Sequence, residues 1–211
     1  MEYVTIDMDL ADRILPSYCC ISAITWENGN MSNVYSSYVY PDCDIEEFML
    51  ARHGITNKDV DAAPNMANVW GEVSQMISDK LVFFVNGSKD VDMLLRRLDV
   101  DYLNTPNFEY GSILSICKRT WKDISKYDFA TVTTELEISS SHYNSLNDAI
   151  SMGMIINKAI EEHKASDVRD LFNKIGYAGG YVIGGHKVVY QARKDKKSKE
   201  YYPQPVIKQD Q

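Results

Sequence analysis

The run Leu81-Val-Phe-Phe-Val contains no polar residue. Side chains of a strand alternate between its two faces, so a strand that is apolar on both must be covered on both. That is the pattern of a strand held between two layers of helix. The flanking sequence supplies the cover. Met66, Val69, Trp70, Val73, Met76 and Ile77 recur at three- and four-residue spacing before the run, and Val91, Leu94, Leu95 and Leu98 after it, each set marking one apolar helix face. The beginning of the chain reads differently. Residues 3–7, 18–26 and 34–40 are rich in β-branched and aromatic residues and read as strands. Glu27-Asn28-Gly29-Asn30 joins the second and third as a tight hairpin turn, because Asn-Gly accommodates positive φ. The expected fold is therefore an α/β or α+β sheet covered by helices, opening with three antiparallel strands.

Further helices are expected around Ile113, Ile116, Cys117 and Trp121, over residues 129–136, and over residues 144–163 with Asn144 as N-cap. A last helix is expected to be capped by Ser166 and stopped by Gly176. Beyond it, Gly179, Gly180, Gly184 and Gly185 bracket two alternating apolar segments that read as an added β-hairpin, and the basic stretch containing Pro203 and Pro205 reads as a mobile polar tail. The organisation implied is a domain over residues 1–165 and a C-terminal extension over 166–211. No apolar run reaches the roughly 18 residues of a membrane span, and Met1-Glu2-Tyr3 lacks the basic start of a signal peptide; the expectation is a cytoplasmic protein with no membrane contact. Cys19, Cys20, Cys43 and Cys117 lack metal-ligand spacing and are expected to be buried free thiols.

Net charge is -8, which repels nucleic acid over most of the surface. From residue 187 to 208, however, seven Lys and Arg face only Asp195 and Glu200, a net of +5, which leaves -13 on the rest of the chain. A phosphate-binding activity in such a chain needs that basic stretch, metal ions, or both.

The acids cluster at element ends. Asp7 and Asp9 share one face at the end of a strand, Asp90 follows the 81–85 strand and its Asn-Gly-Ser loop, and Asp148 falls in the first turns of the long helix. Two readings are open from spacing alone. Acids at helix starts stabilise the helix dipole, the role expected of Asp59, Asp61 and Asp92. Alternatively, carboxylates from three segments converge on divalent cations, since together and unneutralised they would cost several kcal/mol each. Oxygen-only ligation suits Mg²⁺ or Mn²⁺, and a pair of such ions suits phosphoryl transfer.

The order of the motifs adds a resemblance. Val4-Thr-Ile-Asp7-Met-Asp9, then Arg52-His53-Gly54-Ile55-Thr56 with Ala63-Pro64, then Leu81-Val-Phe-Phe-Val-Asn86-Gly-Ser-Lys-Asp90, then Ser141-His142-Tyr143-Asn144-Ser-Leu146-Asn-Asp148-Ala149 resemble in sequence the motifs of the DEDDh-type 3′–5′ exonucleases, the family of the DNA polymerase III proofreading (epsilon) subunit. The resemblance spans residues 3 to about 160 and implies an α/β, ribonuclease H-like fold: a mixed sheet in which parallel strands follow the antiparallel three-strand opening, flanked by helices. It further implies two Mg²⁺ or Mn²⁺ ions on Asp7, Asp9, Asp90 and Asp148, and hydrolysis at the 3′ end of single-stranded DNA or RNA. Two positions depart from the family pattern. Its first-motif glutamate is Asp9, one methylene shorter. Its catalytic histidine, five residues before the last aspartate, is Tyr143, while His142 stands six before it. Histidine with a pKa near ~6.5 suits proton abstraction, whereas an unperturbed tyrosine near ~10 is about one part in a thousand phenolate at pH 7. Tyr143 or His142 is accordingly the expected catalytic group, with reduced turnover. Asn86, Arg193, Lys194, Lys196 and Lys197 are expected nucleic-acid contacts, and a polymerase or other protein partner is not named by the sequence. The alternative is a catalytically degenerate module of the same fold that binds nucleic acid or a protein.

Overall fold

The computed structural model describes residues 2–13, 16–138, 144–194 and 201–205. One eight-stranded sheet runs through it in the order β3-β2-β1-β4-β5-β6-β7-β8. Strands β1 (Glu2–Asp12), β2 (Ser17–Glu27) and β3 (Asn30–Tyr38) form the expected antiparallel opening. The turn between the last two takes positive φ at Asn28 and Gly29 (51° and 81°), as its sequence requires. Short helices α1 (Glu47–His53) and α2 (Asn57–Val60) precede α3 (Met66–Ile77). Strand β4 (Leu81–Phe84) and strand β5 (Phe108–Ser112) run parallel to β1, with α4 (Ser88–Val100) crossing between them. Helices α5 (Ile113–Thr120), α6 (Phe129–Glu135), α7 (Ser145–Glu162) and α8 (Val168–Ile175) follow. Strands β6 (Gly180–Ile183), β7 (His186–Lys194) and β8 (Tyr201–Pro205) then continue the sheet antiparallel to one another.

The two-faced β4 has the two covers its sequence demands. Val82 and Phe84 pack into a core with Val4, Ile6, Val69, Trp70, Val73, Leu94 and Leu98, against α3 and α4. Leu81 and Phe83 pack on the other face with Tyr3, Ile24, Trp26, Ile116, Met152, Ile156 and Phe172, against α5, α7 and α8. No helix among the described residues is long and apolar enough to cross a membrane.

Three local expectations change. The last helix is capped by Asp167, whose side chain accepts from Asp170 N–H, and not by Ser166, which instead donates its own N–H to the Asp170 carboxylate at 2.8 Å. Residues 201–205 pair with β7 as a strand and do not trail as a tail, because β7 otherwise leaves an open ladder edge. Cys43 is exposed, while Cys19, Cys20 and Cys117 are the expected buried free thiols. The expected hairpin adds to the sheet through β6, which is hydrogen-bonded to β5.

The seating of α7 sets the geometry of everything near the chain's acids. Thr5 Oγ donates to the Ala149 carbonyl at 2.8 Å and accepts from Trp26 Nε1 at 2.9 Å, which ties strands β1 and β2 to the second turn of α7. One turn later Gly153 faces the Trp26 indole so closely that a Cβ there would lie 2.0 Å from the ring. At the end of this seam Asn157 Nδ2 donates to the Gly29 carbonyl at 2.8 Å. Replacing a mid-helix glycine by alanine ordinarily gains about 1 kcal/mol of helix propensity. Here we expect Gly153→Ala to destabilise the protein by about 1–3 kcal/mol through overpacking, read as a lower urea midpoint at unchanged m-value.

Candidate active site

Strands β1, β4 and β5 are parallel, so their C-terminal ends point to one side of the sheet. Thr5 is opposite Phe83 in the register, and β4 ends one residue later; Asp7 and Asp9 therefore project past the end of β4. Crevices beyond the carboxyl ends of strands are where open α/β sheets bind ligands. A cavity of about 270 Å³ lies there, lined by Asp7, Asp9, Asp90 and Asp148 together with Met49, Arg52, His53, Asn86, Met93 and Phe129, among others. All four acids singled out from the sequence face the same space.

Each acid is held by its element. Asp9 precedes an irregularity in the β1–β2 pairing, and one carboxylate oxygen accepts the N–H of Ser145, the first residue of α7, at 3.2 Å. Ser145 is fixed in turn: its hydroxyl lies 2.8 Å from Ser22 Oγ and 3.0 Å from Cys20 Sγ. Asp90 stands in the first turn of α4, where Asn86 hooks it with both donors, the backbone N–H at 2.8 Å and the side-chain amide at 3.3 Å. The corner between Asn86 and α4 is Gly87 (φ 61°), where a Cβ would fall 2.7 Å from Ser112 Cβ; only glycine fits both the angle and the space. Asp148 lies in the first turn of α7, behind Asn144, whose side chain caps the helix by accepting from Asn147 N–H at 3.1 Å.

The electrostatics are those of crowded anions. Burial raises the Asp7 carboxyl well above its ordinary value, and the negative charges of Asp9, Asp148 and Asp90 raise it further; the Met8 N–H acts the other way. Burial also raises Asp9, offset in part by the His53 ring, the Ser145 N–H, the Arg52 guanidinium and the Ser145 hydroxyl. Asp90 is raised by burial against the opposing pull of Asn86 and Lys89. Such a donor set, four hard carboxylates that repel one another, fits divalent oxygen-seeking cations, whose charge would relieve the repulsion. Among the described residues no three His, Cys, Asp or Glu side chains are grouped so as to hold an ion as they stand. Binding would therefore have to draw the side chains inward.

His53 is a structural residue here. Its Nδ1 accepts the Ile55 N–H at 3.0 Å and its Nε2 lies 3.0 Å from the Leu10 carbonyl, so it ties α1 to β1. Asp59 closes a capping box with Thr56, the dipole-type role expected of it. Asn86 lines the cavity, but its amide is engaged by Asp90. Arg193 and Lys194 lie on β7, three strands from β4 in the sheet order. His142, Tyr143, Lys196 and Lys197 lie outside the described residues. Sequence reasoning missed Met49 and Arg52 on α1. The signal was the Met49–His53 spacing followed by Gly54, which ends α1 in the left-handed conformation (φ 73°).

Replacing Asp7 by Asn removes a charge that folding buries at a cost. In the metal-free protein we expect Asp7→Asn to raise Tm by about 2–4 °C, corresponding to about 1 kcal/mol. The sign follows from the raised native pKa. Below the ordinary carboxylate range near ~4 the aspartate is protonated whether folded or unfolded, and the variants should match. As pH rises toward the native pKa the unfolded chain ionises first, wild type loses stability, and the difference grows. Calorimetric scans from pH 4 to 8 in chelator would check this.

The comparisons bear on the family and the fold. The sequence model of a family described as Exonuclease matches residues 11–149. A curated relative, the PolC-type DNA polymerase III of Streptococcus mutans serotype c, is 22% identical over 163 residues; the match covers 74% of this chain but only 11% of that much longer protein. Among solved structures, the nuclease domain of 3′hExo, a DEDDh family member bound to rAMP, superposes with a TM-score of 0.66 at 15% identity, covering 78% of this chain and 94% of that one. Exonuclease X in complex with 5′ overhanging duplex DNA gives 0.62 at 18% identity, covering 80% and 98%. The mixed sheet flanked by helices is the ribonuclease H-like fold of these nucleases.

Proposed function

This chain belongs to the exonuclease family, and we propose that it is a metal-dependent 3′–5′ exonuclease acting on single-stranded DNA or RNA 3′ ends, with reduced turnover. The observation that carries the reading is the meeting of Asp7, Asp9, Asp90 and Asp148 in one cavity, with the Asp7 carboxyl raised by burial and, further, by the other three. Bound there, two Mg²⁺ or Mn²⁺ ions would supply Lewis acidity toward the phosphodiester and an activated water. The chain's own residues do the rest. Asp7, Asp9, Asp90 and Asp148 hold the ions, and Asn86 and the Ser145 N–H fix the directions from which Asp90 and Asp9 approach. Arg52 and Phe129 at the cavity wall offer a cation to the phosphate and an apolar face to the sugar or base. Tyr143, or His142 beside it, orients the attacking water. Arg193, Lys194, Lys196 and Lys197 draw in the phosphate backbone from the 166–211 extension, while residues 1–165 form the catalytic domain. A cytoplasmic setting suits the buried free thiols.

The test is a 5′-labelled single-stranded oligonucleotide incubated with Mn²⁺ and wild type, Asp148→Asn or Tyr143→His. Wild type should shorten the substrate from its 3′ end, and the chelated protein and Asp148→Asn should not. Tyr143→His should raise kcat, since a positioned general base contributes roughly 10²–10⁴. Equal activity in wild type and Asp148→Asn would overturn the reading, and Mn²⁺ binding without cleavage would mark the chain as a binding module of the same fold.

A further inference from the structure

Helices α3, α5, α7 and α8 each begin with a side-chain cap, from Asn65, Ser112, Asn144 and Asp167. Helix α4, which carries Asp90, begins at Gly87 with none. Its first turn is instead gripped by Lys187 on β7, three strands from β4 in the sheet order. Lys187 Nζ donates to Ser88 Oγ at 2.8 Å and to the Ser88 carbonyl at 3.2 Å, and it pairs with the Asp92 carboxylate. The lysine side chain is only 18% exposed, so this is a seated contact and not a surface tether. Ser88 and Asp92 are four residues apart and share one face of the helix. Asp90, two residues from each, projects from the opposite side, toward the cavity. A cation at a helix N-terminus opposes the helix dipole; its placement is explained by the bonds it makes.

We propose that Lys187 is a positioning residue: the β6–β7 hairpin, which lies beyond the residues 11–149 matched by the family model, fixes the rotation of the first turn of α4 and thereby the approach of Asp90 to the cavity. The inference rests on the reading of the four acids as a metal site. It gives part of the C-terminal extension a role separate from nucleic-acid binding. Loss of the lysine leaves Ser88 and Asp92 solvated but unbraced, and the Asn86–Asp90 hook is then the sole restraint described on the aspartate.

The experiment uses the full chain as wild type, Lys187→Met, Lys187→Arg and Asp92→Asn. Two quantities are read: Mn²⁺ affinity by calorimetry, and hydrogen exchange of the Asn86 amide, which reports the bond to Asp90 directly. Removing an outer-shell partner typically costs 10–100-fold in metal affinity. Lys187→Met is expected to weaken Mn²⁺ binding about tenfold and to speed Asn86 exchange, with Lys187→Arg restoring most of both and Asp92→Asn lying between. Mn²⁺ affinity in Lys187→Met within twofold of wild type would overturn the proposal, as would faster exchange without weaker binding, which marks a purely structural contact. If wild type binds no Mn²⁺, the metal-site reading fails by itself; the Asn86 exchange rate still decides whether the brace exists, and an unchanged rate sinks it. Should Lys187→Met fail to fold, Asp92→Asn carries the same comparison at an expected two- to threefold.

Discussion

The close seating of α7 on β1 and β2 is the contact on which the rest of the molecule depends. It is a contact made by subtraction. Gly153 removes a side chain so that the Trp26 ring can lie against the helix backbone, and Thr5 bridges indole and helix with a single hydroxyl. The helix start that follows from this seating places Asp148 in the cavity and the Ser145 N–H against Asp9. Two of the four acids thus owe their positions to a packing decision made one and two turns further along.

The second constraint is electrostatic and opposes the first. Hydrophobic cover on both faces of β4 brings the ends of β1, α4 and α7 together, and burial together with the charges of Asp9, Asp148 and Asp90 raises Asp7 among them. Asp90 accepts from the Asn86 backbone and amide N–H groups, and Asp9 from the Ser145 N–H. Such donors orient a carboxylate without neutralising it. The shortened arm of Asp9 is also accounted for in part by Ser145, since the first N–H of α7 reaches the oxygen that a longer side chain would carry elsewhere.

Much of this was legible in the sequence because it rests on periodicity. The strand-rich opening, α3, the two-faced β4, α4, α5, α6 and α7 all follow from apolar spacing, and Asp7, Asp9, Asp90 and Asp148 follow from motif order. What was hidden depends on contacts between distant segments. Strand β5 (Phe-Glu-Tyr-Gly-Ser) has too little alternation to stand out, and its buried Glu109 is paired with Arg169 of α8. Helix α1 is short and mostly exposed, so its face is narrow. The pairing of 201–205 with β7 could not be read from a Tyr-Tyr-Pro-Gln-Pro string that by composition belongs to a loop. The choice of Asp167 over Ser166 as cap is a one-residue competition between two good capping residues.

The corner at Gly87 has a consequence for how the molecule tolerates change. Ser112, which that glycine touches, also caps α5 through its hydroxyl and donates its backbone N–H to the Tyr177 hydroxyl at 2.7 Å. Three parts of the chain far apart in sequence therefore meet at one point without slack. A substitution at any of them would be felt as a displaced hinge and not as a lost contact, which makes this small junction the place where drift in the C-terminal third of the chain is translated into misalignment of the acids.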